Sequence, residues 1–454
     1  MSRIPNALRR PFEFLVCVLA LAGFASAQKK PAPLERKLAK ELGELATDWW
    51  KARPPTRFVD WDAKTRAELE ARARKLGPLP EGALASAVEL LWTSAKKTAP
   101  KPRLDKGKLV LDTPYGEAWA YVVSATKQSP LLIGLHGGGE GAGSADEARG
   151  NWARKGAFGI YPQGIQLVHD TWNTVHGERF VLSLIEIAKL SFDVDPEHVV
   201  VAGMSMGGTG SWFFAGRHTD LFSGAAPFSG VLMAAPKSQL EFKEEVRAVQ
   251  HGLVPNVRNL AMAYTIGLAD KNTMPGTYLF VADRLSELAQ ADPGGYAKIR
   301  FQSIPGLDHA FPPGEPAKAL DYLLAETRDT FPTRLVWEYV SAPSPEAGPA
   351  DPVARIARPY FYWLGCKDPL DRQTITATRK GNAIELEARG CAHGTSGITL
   401  YLNAAMIDPA QDVVVTSAGK ELYRGKPVPD AWTVLETLDA RLDRVLVFDR
   451  RIEL

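Results

Sequence analysis

The run Gly203-Met204-Ser205-Met206-Gly207-Gly208 sets a serine between glycines two positions before it and two after it. The apolar stretch Val199-Val200-Val201-Ala202 precedes it and a helical pattern from Gly208 to Arg217 follows. This is the layout of a strand, a tight turn and a helix with the serine at the tip. Such an elbow holds its serine in a strained backbone conformation that only very small neighbours tolerate. The chemistry it offers is nucleophilic: a hydroxyl presented above a sheet edge, weak until a neighbouring imidazole removes its proton. A glycine-rich turn with no chemistry is the alternative, and the rest of the chain decides between them.

Two partners have the right types and places. The apolar stretch Leu260 to Ile266 ends in Gly267-Leu268-Ala269-Asp270, and Phe301-Gln302-Ser303-Ile304 runs into Pro305-Gly306-Leu307-Asp308-His309. His309 is the candidate base, because it alone among the histidines follows the last core strand with loop neighbours such as Pro305, Gly306 and Phe311. His169 and His176 precede the elbow, and His218 follows its helix. Asp270 is the candidate carboxylate that would orient the imidazole. Its rivals are Asp283, inside a helical pattern, and Asp308, adjacent to His309 where a productive hydrogen bond is hard to make.

An acyl-transfer site also needs amides aimed at the developing oxyanion. The buried strand Pro130 to Leu135 runs straight into His136-Gly137-Gly138-Gly139, and the amides of Gly137, Gly138 and Met206 are the expected donors. His136 itself is expected to shape that loop. In the segment Asp170-Thr171-Trp172-Asn173, Trp172 is read as a wall of the substrate pocket, with a core position as the alternative, and Asn173 as a donor to substrate. Glu140 and Gln163 sit in neighbouring strand-end loops and are expected on the surface.

These residues need a scaffold. The 454-residue chain exceeds the roughly 250 to 300 residues at which single cores stop growing, so at least two domains are expected. Between residues 106 and 331 short strands give way to alternating strand and helix patterns, which predict a mostly parallel sheet covered by helices with ligands at the carboxyl ends of the strands. Residues 28–105 read as helical, with Leu34, Leu38, Leu42 and Leu45 on one stripe, either packed on the core or lidding it. Residues 332–454 read as several short strands with polar turns, a β-sandwich-like domain.

With 54 basic against 52 acidic residues, the formal charge of +2 gives no reason to expect nucleic acid or an anionic membrane as a partner. Arg3, Arg9 and Arg10, the apolar stretch Phe14 to Phe24 and Ala25-Ser26-Ala27 predict a secretory signal peptide over residues 1–27, hence a secreted or periplasmic protein with no membrane anchor after cleavage. Arg9-Arg10 also faintly fits a twin-arginine signal. Cys366 and Cys391 remain after cleavage; they form one disulfide or are two buried thiols. No cysteine-histidine cluster has metal-ligand spacing, so a metal site is not expected.

The combination of His136-Gly137-Gly138-Gly139, Trp172-Asn173, Phe192 to Val199, Gly203 to Gly208 and Ala226-Pro227-Phe228-Ser229-Gly230 resembles the secreted esterases of the feruloyl esterase, polyhydroxybutyrate depolymerase and predicted-peptidase group. The resemblance covers about residues 128–328. It implies an α/β-hydrolase fold, a Ser-His-Asp triad of Ser205, His309 and Asp270, and hydrolysis, with no metal or organic cofactor, of an ester that is a small molecule or linked to polysaccharide. That group mixes esterases with presumed peptidases, and its common core includes neither the helical nor the β-rich end. Two other readings stand beside an esterase: a serine peptidase, and a binding protein whose β-rich domain stacks sugars on Tyr360, Phe361, Tyr362 and Trp363.

Overall fold

The computed structural model describes residues 31–138, 143–165, 171–230, 253–272, 275–339 and 358–454. The predicted signal peptide, Gly139, Glu140, His169 and Asp170 lie outside the described residues.

Nine strands form one sheet in the order β1-β2-β3-β5-β4-β6-β7-β8-β9. They are β1 (Arg103–Asp105), β2 (Lys108–Thr113), β3 (Gly116–Val123), β4 (Pro130–Leu135), β5 (Phe158–Pro162), β6 (Asp195–Met204), β7 (Gly224–Phe228), β8 (Ala261–Gly267) and β9 (Ile299–Ile304). The first three pair antiparallel, and β5 through β9 run parallel. The central strands are apolar without a break because helices cover both faces. Leu131, Ile133, Val199 and Val201 face a core built with Phe180 and Trp212, from helices α5 (Val175–Ser191) and α6 (Met206–Arg217). On the other face, Leu132, Val200 and Ala202 pack with Trp152, Leu320 and Leu323. Those side chains come from α4 (Ala145–Trp152) and α8 (Glu315–Leu323); α7 (Pro275–Ala291) connects β8 to β9. The parallel strands all deliver their carboxyl ends to one edge, and the predicted site residues leave from β4, β6, β8 and β9 at that edge.

Helices α1 (Arg36–Ala52), α2 (Ala63–Arg74) and α3 (Leu84–Thr98) answer the lid question. Leu38, Leu42, Leu45 and Trp49 bury against Trp432, Leu435 and Leu438 of a C-terminal helix, α9 (Ala431–Arg441), in one shared core. The β-rich reading of the C-terminal end missed this helix, which Asp430 caps by accepting a bond from Thr433 N at 2.7 Å.

The remaining C-terminal strands make two sheets. One holds five strands, including Arg334–Glu338, Thr374–Lys380 and Ala383–Arg389; the other holds four, including Leu364–Cys366 and Ile398–Leu402. Trp337, Ile375 and Leu386 of the first meet Leu364, Leu400 and Ile452 of the second, so the pair is a sandwich around its own core. The row of aromatics is not a sugar platform: Phe361, Tyr362 and Trp363 are 1%, 1% and 0% exposed, buried in that core. Cys366 and Cys391 are free thiols.

Buried charges stitch the three regions together. Lys189 of α5 and Arg328 both reach Asp443, at 3.0 and 2.8 Å; Arg441 and Arg358 clamp Asp220; Arg53 joins Glu186 to Asp439. Burial would raise the Asp443 carboxyl, but the Arg328 and Lys189 charges outweigh it and hold the group well below the usual carboxylate range.

Candidate active site

Ser205 follows β6 at φ 58 and ψ −122, a positive-φ conformation that side chains adopt only when the surroundings impose it. The imposition is visible on both sides. Ser205 N donates to Phe228 O at 2.9 Å, and Ser205 O accepts from Thr209 N at 2.9 Å. The flanking glycines follow from contact distances. A Cβ on Gly203 would lie 2.2 Å from Gly207 O, and one on Gly207 would lie 2.3 Å from Leu135 O. The turn therefore closes only with glycine at both places, as the sequence spacing implies. Met206, next in the chain, opens α6, where the first amides have no partner within the helix and carry the positive end of its dipole.

His309 Nδ1 lies 2.7 Å from Asp270 Oδ2. The Asp270 side chain is fully buried and that of His309 is 16% exposed. The other Asp270 oxygen accepts from Asn272 N at 2.9 Å, so the carboxylate is held by backbone while it faces the ring. Ser205, His309, Gly137 and Gly138 line one cavity of about 570 Å³. Asp283 lies exposed on α7, away from this cavity. His218 is buried against Glu178, 2.8 Å away, and burial first and the Arg358 charge second push its imidazole down to about 3.

His136 is built into the loop, as expected. Its Nε2 accepts from Gly164 N at 3.0 Å, so the proton sits on Nδ1, which donates to Gly137 O at 2.9 Å. Burial lowers its pKa, consistent with a neutral ring.

Trp172 corrects the pocket-wall reading. It is 1% exposed, lies in the core under the sheet, and does not line the cavity; its Nε1–H donates to His136 O at 2.9 Å. An indole is large enough to fill the space beside α6 and carries one donor, which here fixes the loop that bears Gly137. Asn173 lies beside it in a short helical turn and also falls outside the cavity lining. Gln163 is half-buried: its Oε1 accepts from Ala145 N at 2.9 Å at the start of α4.

Beyond Ser205, His309 and the His136 to Gly138 loop, the side chains that line the cavity were not singled out in the sequence, Phe311 excepted. Trp152 and Phe311 form an apolar side, their rings 5.5 Å apart, and Glu147, Asn151, Lys271 and Asn272 contribute polar lining. Ala148 and Trp152, one helical turn apart on α4, were the available signal. Among the described residues no group of three or more His, Cys, Asp or Glu is placed to hold a metal ion, and no helix is long and apolar enough to cross a membrane.

The sheet order, the strained serine turn and the triad-like placement at the carboxyl ends of the strands define an α/β-hydrolase, with a β-sandwich domain appended. Residues 124–312 match the esterase family model, described as "Putative esterase". Among solved structures, a thermostable esterase is 18% identical with a TM-score of 0.36, over 49% of this chain and 62% of that one. The esterase Est1E from Butyrivibrio proteoclasticus is 16% identical with a TM-score of 0.37, over 48% of this chain and 96% of that one. An S-formylglutathione hydrolase from Staphylococcus aureus is 17% identical with a TM-score of 0.35, over 50% of this chain and 98% of that one. The chain thus spans about three fifths of the thermostable esterase's length. No curated protein matches by sequence.

Proposed function

We propose that the chain is an exported serine hydrolase that cleaves a carboxylic ester through an acyl-enzyme, with Ser205 as nucleophile, His309 as general base and Asp270 as the residue that orients it. The observation that carries this reading is the 2.7 Å contact of His309 Nδ1 with buried Asp270, on the same cavity as a serine in a strained elbow.

The steps follow from that geometry. With Nδ1–H directed at Asp270, Nε2 of the neutral imidazole is the basic nitrogen. It takes the Ser205 proton as Oγ attacks the ester carbonyl carbon. The carbonyl oxygen, now an anion, accepts from the amides of Met206 and of Gly137 or Gly138, each donor worth roughly 10² to 10³ in turnover. The imidazolium, stabilised by Asp270, returns its proton to the departing alcohol as the tetrahedral intermediate collapses. A water attacks the acyl-enzyme by the same route in reverse order.

The substrate side is a proposal of the same kind. A cavity of this size takes an acyl group with part of its alcohol, and the resemblance to feruloyl esterases suggests an ester on plant or microbial polysaccharide. Export rests on the sequence of residues 1–27 alone. Turnover of short-chain p-nitrophenyl esters by the mature protein, abolished in Ser205→Ala, is the expected result. Hydrolysis of peptide anilides in place of esters would move the reading to a peptidase.

A further inference from the structure

Asp308 precedes His309, and adjacency keeps it from serving as the triad acid. Its carboxylate nonetheless has a defined task in the geometry. Oδ1 accepts two backbone N–H groups, from His309 at 2.8 Å and from Lys271 at 3.1 Å. Lys271 directly follows Asp270. One oxygen therefore ties the peptide that leaves the acid to the peptide that carries the base.

The two loops come from neighbouring parallel strands and are already joined on the near side. Leu268 N donates to Ile304 O at 3.0 Å, and Ala269 N donates to Leu307 O at 2.9 Å. Those bonds fix the chain ahead of Asp270; the Asp308 oxygen fixes it just beyond. The acid is thus held on both sides against the loop of its partner. A carboxylate suits this job better than a neutral acceptor, because charge-assisted bonds are shorter and about twice as strong. The N–H groups of His309 and Lys271 in turn hold the Asp308 carboxyl below its usual range, so it stays ionised where the enzyme works.

We propose that Asp308 is a positioning residue for the Asp270–His309 pair, clasping the two loops so that the imidazole stays aimed between its carboxylate and Ser205. It touches neither substrate nor the reacting atoms. Loss of the clasp frees the Lys271 and His309 peptides to separate, and a misplacement near 1 Å costs on the order of 10²-fold in rate. The inference rests on the triad reading given above.

The test compares Asp308→Ala and Asp308→Asn with the native full chain, using a short-chain p-nitrophenyl ester and the low-field proton resonance of His309 Nδ1–H. Asp308→Ala is expected to lower kcat about 10- to 100-fold with KM within about twofold, and to shift or broaden that resonance. Asp308→Asn keeps an oxygen for both N–H groups and is expected to recover kcat to within about threefold of native. Thermal melts within a few degrees of native show that the variants are folded; if Asp308→Ala does not fold, the resonance and kcat of Asp308→Asn carry the comparison. An Asp308→Ala variant with native kcat and an unmoved resonance overturns the clasp, as does an Asp308→Asn variant no better than Asp308→Ala. Failure of the triad reading looks different: Ser205→Ala and native protein would then turn over ester equally, whatever Asp308 does.

Discussion

Replacing Trp172 by Phe separates two roles that the residue cannot hold at once. Phenylalanine keeps most of the apolar ring in the core but removes the Nε1–H that meets His136 O at 2.9 Å. That carbonyl belongs to a residue that is 1% exposed, so a direct loss leaves a buried acceptor unsatisfied, at about 1–3 kcal/mol. The loop can relieve this by rotating the peptide between His136 and Gly137. Doing so swings the Gly137 amide, one of the proposed oxyanion donors, away from its target. Full loss of such a donor costs roughly 10² to 10³ in kcat, and a partial swing about 10- to 100-fold. The prediction for Trp172→Phe is therefore a kcat lowered by that amount with KM within about twofold, because the indole does not line the cavity. Steady-state kinetics on a p-nitrophenyl ester, with a thermal melt as control for folding, provide the measurement. An unchanged kcat with a raised KM would refute the reasoning and restore the pocket-wall role.

Two predictions concern stability. Asp443→Asn removes the counter-charge of Lys189 and Arg328, whose side chains are each 1% exposed, and is expected to destabilise by about 3–5 kcal/mol; calorimetry should show a lowered melting temperature, and native-like melting would deny the buried junction its importance. Asp449, 2% exposed, has its carboxyl pushed up to about 6 by burial, so the folded state holds a proton that the unfolded chain releases near pH 4. Stability contributed by this group is therefore lost as pH rises from about 4 to about 6, and the effect of Asp449→Asn, which also removes the charge beside buried Arg450, should be more favourable at pH 7 than at pH 4 by roughly 2–3 kcal/mol. Denaturant titrations at the two pH values check it; an equal effect at both would place the cause outside ionisation.

The serine elbow was legible because its constraints are local. Gly203 and Gly207 are demanded by contacts among residues a few positions apart and with the neighbouring strand, and the alternation of strand and helix fixes which ends converge. The order of Ser205, Asp270 and His309 then needs only the strand ends to be read correctly. What stayed hidden depends on partners far along the chain. Trp172 meets a carbonyl 36 positions away, and Lys189 meets Asp443 254 positions away. Glu178, Glu186 and Lys189 of α5 interrupt its apolar pattern and look solvated in sequence, yet all three are buried and two of them bridge to other regions. The same remoteness explains α1: its leucine stripe announces a buried face but not that α9 covers it. The aromatic run at residues 360–363 does not alternate: Phe361, Tyr362 and Trp363 are all buried because the chain turns at Tyr362, φ 50, between two short strands, and sequence does not announce that turn.

The most direct test of the central claim is covalent labelling of the mature protein with a fluorophosphonate, followed by intact mass and peptide mapping. A single adduct is expected on Ser205, absent from Ser205→Ala and slowed in His309→Ala. A folded native protein that takes no label, or takes it at another residue, would contradict it.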